Sequence, residues 1–199
     1  KLVSDLIPKE TNYIFVSSAS ADDRYLSSIG SYGLDKKLVE DMIESDERNY
    51  KIIRPSYIVG KGNHRPRLGY YLNQLRINEP IEVERDGTEI VNLVFVQDVV
   101  EIISKMIKDK TKTMKKYFVT GDKDISINDL INKLYFWYPN KHTIRNNVIG
   151  SPLFGFDFCN FNNSDIKKDY NIKFTSLADG LIDYYEWFKQ EGLKKYEFI

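Results

Sequence analysis

The 199-residue chain has a single cysteine, Cys159, so it cannot form a disulfide within itself, and a reducing, cytoplasmic compartment is the default. Its two histidines, His64 and His142, have no Cys, His or acidic partner at ligand spacing, so no metal site is expected. Neither sign of charge is in excess: Lys+Arg and Asp+Glu both number 29. That balance argues against a nucleic-acid surface or an anionic membrane as partner. No apolar run approaches the ~20 residues of a membrane span. Repeats and low-complexity tracts are absent. The 11 glycines never fall as Gly-x-x-Gly-x-x-Gly, and Gly60-x-Gly62 has no third, helix-opening glycine. The first residues include no Met and are interrupted by a charge at Asp5, so they do not read as a signal peptide. Residues 1–7 read as the end of a helix stopped by Pro8.

What is present is an ordinary globular composition, 42% hydrophobic and 29% charged, enough for one sizeable domain or one and a half small ones. Asn12–Val16 reads as a buried strand and Ser17–Ile29 as loop. From Ser31 to about Ser45 the pattern is helical, with Leu34, Leu38, Met42 and Ile43 on one apolar stripe. Further strands are expected at Tyr50–Ile53, Ile81–Glu84, Glu89–Phe95 and Tyr117–Thr120, with a weaker one at His142–Ile149. Further helices are expected at Pro66–Leu75, Val99–Lys108 with Asp98 as its cap, Ser126 to about Tyr135, Ser164–Tyr170, and from Ser176 onward. Asp86-Gly87 marks a tight turn and Ser151–Asn163 a Phe-rich loop. Strands alternating with helices indicate an α/β architecture with a parallel sheet.

Within this frame Ser18 ends a strand-like run, and Tyr32 and Lys36 lie one helical turn apart. Ser and Tyr hydroxyls can bind one substrate oxygen, and an ammonium one turn away favours the phenolate. Tyr-x-x-x-Lys occurs three times, as Tyr32/Lys36, Tyr57/Lys61 and Tyr185/Lys189, but only the first follows a Ser-rich strand end.

Four stretches occur in an order that resembles the extended short-chain dehydrogenase/reductase family, the NAD-dependent epimerase/dehydratase group. They are Ile14-Phe-Val-Ser-Ser-Ala-Ser20, Tyr32-Gly-Leu-Asp-Lys36 followed by Leu38 and Glu40, Ile53-Arg-Pro-Ser-Tyr-Ile-Val-Gly60, and Asp86-Gly-Thr with Val94-Phe-Val-Gln-Asp98. The tail from Asn163 to Phe188 is similar as well. The resemblance implies a partial Rossmann-like, doubly wound parallel sheet plus a small α/β substrate-binding domain. Residues 1–60 would belong to the NAD(P)-binding domain and 61–199 mostly to the substrate domain, with about 89–120 returning to the Rossmann-like sheet. Ser18, Tyr32 and Lys36 are the implied catalytic residues. Tyr32, Lys36, Pro55, Ser56 and Ile58 are the implied contacts to NAD or NADP, and Ser18 and Tyr57 those to a small-molecule substrate. The resemblance also implies homodimerisation through the Tyr32 helix.

The chain departs from the family in four ways. The glycine-rich phosphate turn is missing, so the 199 residues read as the carboxyl-side portion of a longer protein, inactive alone. Val91 stands where an Arg usually grips a diphosphate, Tyr57 replaces an Asn, and the stretch from Ser18 to Tyr32 is short. Arg65, Arg67 and Arg76 are the alternative cations. The expected activity is that of an epimerase, dehydratase or reductase acting on a sugar or related hydroxy or keto compound. The alternative is a non-catalytic module of the same fold that binds RNA or a protein.

Overall fold

The structure is a computed structural model that describes residues 8, 11–26, 31–46, 49–83, 85–139, 143–146, 154 and 157–197. The expected helix end at residues 1–7, His142 and part of the Phe-rich loop lie outside them. The chain forms two compact units, one of residues 1–56, 97–120 and 161–174, the other of residues 57–96, 121–160 and 175–199.

The first unit is built on a three-stranded sheet in the order β1 (Tyr13–Val16), β2 (Tyr50–Pro55), β6 (Met114–Val119), with both pairings parallel. β2 is central and buried along its whole length, as a parallel strand covered on both faces must be. Between β1 and β2 the chain makes a 3₁₀ turn at Ala19–Ala21 and then helix α1 (Ser31–Ser45). Helix α3 (Val96–Lys108) precedes β6 and buries Val99, Ile102 and Met106, spaced i, i+3, i+7. Helix α5 (Ser164–Tyr170) buries Ile166 and ends at Asn171 in the left-handed conformation.

α3 corrects one expectation. β5 (Ile90–Phe95) runs directly into it, so the helix starts at Val96 and Asp98 lies buried inside its first turn, where an acid suits the unpaired N–H groups, rather than at the cap. On the apolar stripe of α1, Leu34, Leu38 and Met42 are about half exposed, while the helix buries Gly33 and Glu40.

The second unit holds a sheet in the order β3 (Tyr57–Val59), β5, β7 (Asp124–Ser126), in which β5 and β7 are antiparallel. A separate parallel pair joins β4 (Ile81–Glu82) to β8 (Ile144–Arg145). Helix α2 (Arg67–Ile77) supplies Leu68, Tyr71, Leu72 and Leu75 to the core. Helix α4 (Ile127–Leu134) supplies Ile127, Leu130, Ile131 and Leu134. Ser126 caps α4 and Ser176 caps helix α6 (Leu177–Trp187), each accepting from the amide of the Asp three residues on, at 3.0 and 3.1 Å. Asp86 accepts from the amide and hydroxyl of Thr88, and Gly87 takes the left-handed φ of 77° that the turn into β5 requires. α6 continues through a π turn at Phe188–Gly192, which the sequence pattern does not announce.

Candidate active site

In the first unit, β1 and β2 are parallel, and their carboxyl ends deliver Ser17-Ser18 and Pro55-Ser56 to the same edge of the sheet. Open α/β sheets bind ligands at that edge. Ser18 is extended and caps the 3₁₀ turn; its Oγ accepts from the Ser20 amide at 3.2 Å and from the Ser20 hydroxyl at 2.8 Å. With its lone pairs so used, the Ser18 O–H is left as a donor.

Helix α1 lies against this segment through three successive turns. An added Cβ at Gly33 would come within 2.4 Å of the Ser20 carbonyl oxygen, so helix and turn are in backbone contact there. One turn on, Lys36 Nζ donates to the Val16 carbonyl at 3.1 Å. The same ammonium lies 5.1 Å from the Phe15 ring centroid and 5.8 Å from that of Tyr32. A further turn on, Glu40, fully buried, accepts from the Ser17 hydroxyl at 2.5 Å. It also takes a forked contact from Arg54, with Nε at 3.0 Å and Nη2 at 2.6 Å. Burial works against the Arg54 charge, but Glu40, with Asp22 3.7 Å away, holds its pKa above the ordinary arginine value.

Of the residues singled out from sequence, Tyr32 and Lys36 are adjacent, and the helix that carries them packs on the segment that carries Ser18. The Tyr32 side chain is 53% exposed, in the first turn of α1. Lys36 has two further N–H donors beyond the one given to Val16, a donor set that fits a vicinal diol such as a ribose. Ser56 is buried and gives its amide to Val119 at 3.2 Å. The other two Tyr-x-x-x-Lys pairs differ. Lys189 lies over the Tyr185 ring at 4.7 Å, closer than Lys36 to Tyr32, but beside Trp137 rather than a serine-bearing turn. Lys61 pairs with Asp183. The spacing alone therefore does not distinguish the three pairs; the serine-bearing turn beside Tyr32 and Lys36 does.

The second unit holds Tyr57 and Ile58. Tyr57 packs on Phe154 and Phe158 at 4.9 and 4.8 Å, and the Arg67 guanidinium lies 4.7 Å from its ring. Burial draws the Arg67 pKa below the ordinary value. Of the three alternative arginines, Arg67 is the one against Tyr57; Arg76 donates to Asn73 at 2.9 Å. Val91 is fully buried in the core of this unit. Sequence reasoning missed Ser17 and Arg54 as members of the buried network around Glu40. Glu40 itself was visible one turn beyond Lys36, but no local signal gave its partners.

A cleft of about 560 Å³ in the first unit is lined by Lys105, Asp109, Thr111, Tyr117, Asp169 and Tyr170, among others. It lies at the amino end of β6, away from Ser18. Its carboxylates are occupied: Asp109 by Thr111, Lys51 and Tyr170, and Asp169 by Lys115 and Tyr117. These contacts knit α5 to the sheet. Among the described residues no cluster of His, Cys, Asp and Glu could hold a metal ion, and no helix is long and apolar enough to cross a membrane.

The family model described as "NAD dependent epimerase/dehydratase family" matches residues 9–120. A curated relative, the chloroplast stem-loop binding protein of 41 kDa b from Arabidopsis thaliana, is 25% identical over 140 residues, 64% of this chain and 36% of that protein. Among solved structures, Pal from Bacillus thuringiensis superposes with a TM-score of 0.72 at 22% identity over 91% of this chain and 63% of that one. The UDP-glucuronic acid 4-epimerase from Bacillus cereus, solved with UDP-glucuronic acid and NAD, gives 0.71 at 20% identity, over 90% of this chain and 62% of the other. The chain thus spans about a third of the length of the curated relative and under two thirds of these structures.

Proposed function

From the premise that this chain belongs to the NAD-dependent epimerase/dehydratase family, we propose that it carries the serine, tyrosine and lysine of a hydride-transfer site acting on a sugar or related hydroxy or keto compound. The observation that carries this reading is the packing of the Tyr32–Lys36 helix on the serine turn, with Lys36 bonded to Val16 two residues before Ser18. Bound NAD or NADP supplies the hydride acceptor. Tyr32 takes the proton of the substrate hydroxyl and returns it in the reverse step. Lys36 places positive charge beside that phenol and would hold the nicotinamide ribose through its remaining N–H donors. Ser18 donates its free O–H to the same substrate oxygen. Pro55 and Ser56, at the carboxyl end of β2, would border the nicotinamide. Tyr57, with Arg67 on its ring, is the second unit's candidate substrate contact.

The reading includes completion from outside these residues. The glycine-rich turn that would hold the pyrophosphate is not in the sequence, so the 199 residues alone are expected to be inactive and to bind NAD weakly. The exposed stripe of Leu34, Leu38 and Met42 on α1 serves as a homodimer contact; Leu38→Glu should convert dimer to monomer in light scattering, and an unchanged mass would refute that part. The test of the site is turnover by the intact protein. Tyr32→Phe should abolish it with the melting temperature retained, and retained turnover would refute the assigned role.

A second reading, a non-catalytic module of the same fold, is favoured by one observation, the stem-loop binding named for the Arabidopsis relative. Binding of a stem-loop RNA by the intact protein, without NAD binding, would select it.

A further inference from the structure

We propose that Ser17 and Glu40 form a positioning clamp that holds Ser18, Tyr32 and Lys36 in one fixed arrangement; the proposal rests on the NAD reading above. Glu40 is fully buried on a helix that turns leucines to solvent, a placement burial of apolar area does not explain. A paired buried carboxylate contributes little net stability relative to a well-packed apolar residue. What it does contribute is position.

One carboxylate touches all three chain segments that carry the first unit's candidate residues. It belongs to the helix of Tyr32 and Lys36. It accepts from the Ser17 hydroxyl, one residue before Ser18, at 2.5 Å. It holds the Arg54 fork, directly before Pro55 and Ser56. Ser17 is fixed from two sides, since its amide donates to the Ile53 carbonyl at 2.8 Å while its side chain reaches α1. With Ser17 fixed, the extended Ser18 that follows has its direction set. Along the helix, Glu40 lies eight residues from Tyr32, about 12 Å at 1.5 Å per residue. A rod held at Glu40 and, through Gly33, against Ser20 resists tilting, and Tyr32 precedes Gly33 at the free end. Lys36, midway, is held to Val16 by the same docking.

Ser17 and Glu40 are positioning residues, acting through Ser18, Tyr32 and Lys36. Glu40→Ala leaves Arg54 buried without its partner and is a poor probe, because it can prevent folding. Ser17→Ala removes a single hydroxyl and keeps the Glu40–Arg54 pair. In the intact protein, titrated with NAD, Ser17→Ala should weaken binding about tenfold, as expected for sub-ångström displacement of oriented groups. Its melting temperature should stay close to that of the parent. Tyr170→Phe, which removes one hydrogen bond to Asp109 at the other end of the sheet, serves as a stability control and should leave NAD affinity unchanged. Lys36→Ala tests the reading beneath. If the intact protein does not bind NAD, or if Lys36→Ala does not weaken binding, the NAD reading fails and the clamp with it. If Lys36→Ala weakens binding while Ser17→Ala leaves it within twofold, the reading stands and the clamp is overturned.

Discussion

Replacing Gly33 with alanine sets two effects of opposite sign against each other. Glycine inside a helix is about 1 kcal/mol worse than alanine, so propensity alone makes the substitution stabilising. The structure opposes this. The new Cβ would lie 2.4 Å from the Ser20 carbonyl oxygen and 3.1 Å from its carbon, and both neighbours are backbone. Relief requires the helix and the 3₁₀ turn to part by most of an ångström. Overpacking of this kind costs about 1–3 kcal/mol, and contact with two backbone atoms places it in the upper half of that range. The net expectation is a loss of about 1–2 kcal/mol, or roughly 2–8 °C in melting temperature for a chain of this size. Urea unfolding with a linear fit measures it. A gain of about 1 kcal/mol, the value propensity alone predicts, would refute the close approach of α1 to the serine turn. In the intact protein the same substitution shifts Tyr32 relative to Ser18 and should lower turnover by about 10²-fold.

Other substitutions probe other parts of the account. Arg54→Ala leaves Glu40 as an uncompensated buried charge and should cost about 3–5 kcal/mol in denaturant unfolding. Val91→Arg would place a cation at a fully buried core position; it should lower stability by about 4 kcal/mol or more and should not create a diphosphate contact, as a melting curve and UDP titration would show. Acid should destabilise the first unit. The Thr111 hydroxyl and amide hold Asp109 well below the usual carboxylate range, and the hydrogen bond from Lys115 lowers Asp169 from its ordinary value. Groups with depressed folded values contribute stability above their unfolded pKa near 4 and lose it as pH falls below that. The melting temperature should therefore hold above about pH 5 and drop below about pH 4, and Asp109→Asn should flatten the drop.

The bounds of α1 were legible because fifteen residues give a helical period room to show, and the Ser126 and Ser176 caps were legible because Ser-x-x-Asp is a local signal. The inward face of α1 was not. The buried face is set by partners 14 and 23 residues from Glu40, which the apolar stripe of Leu34, Leu38 and Met42 does not reveal. Long-range ion pairs leave no periodic trace. β3 and β7 are three residues each, too short for alternation to register. Asp98 was misread as a cap because the sequence gives no sign that β5 passes into α3 without a loop. At the site, Tyr32 and Lys36 are adjacent because i and i+4 share a helix face; their approach to the Ser18 segment depends on Gly33, whose role shows only in three dimensions.

The most direct measurement is a crystal structure of the intact protein with NAD bound. The account predicts the nicotinamide ribose within hydrogen-bond reach of Tyr32 Oη and Lys36 Nζ, with Ser17 still bonded to Glu40. A nicotinamide bound elsewhere, or a Tyr32 phenol turned away from both the cofactor and the serine turn, would contradict it.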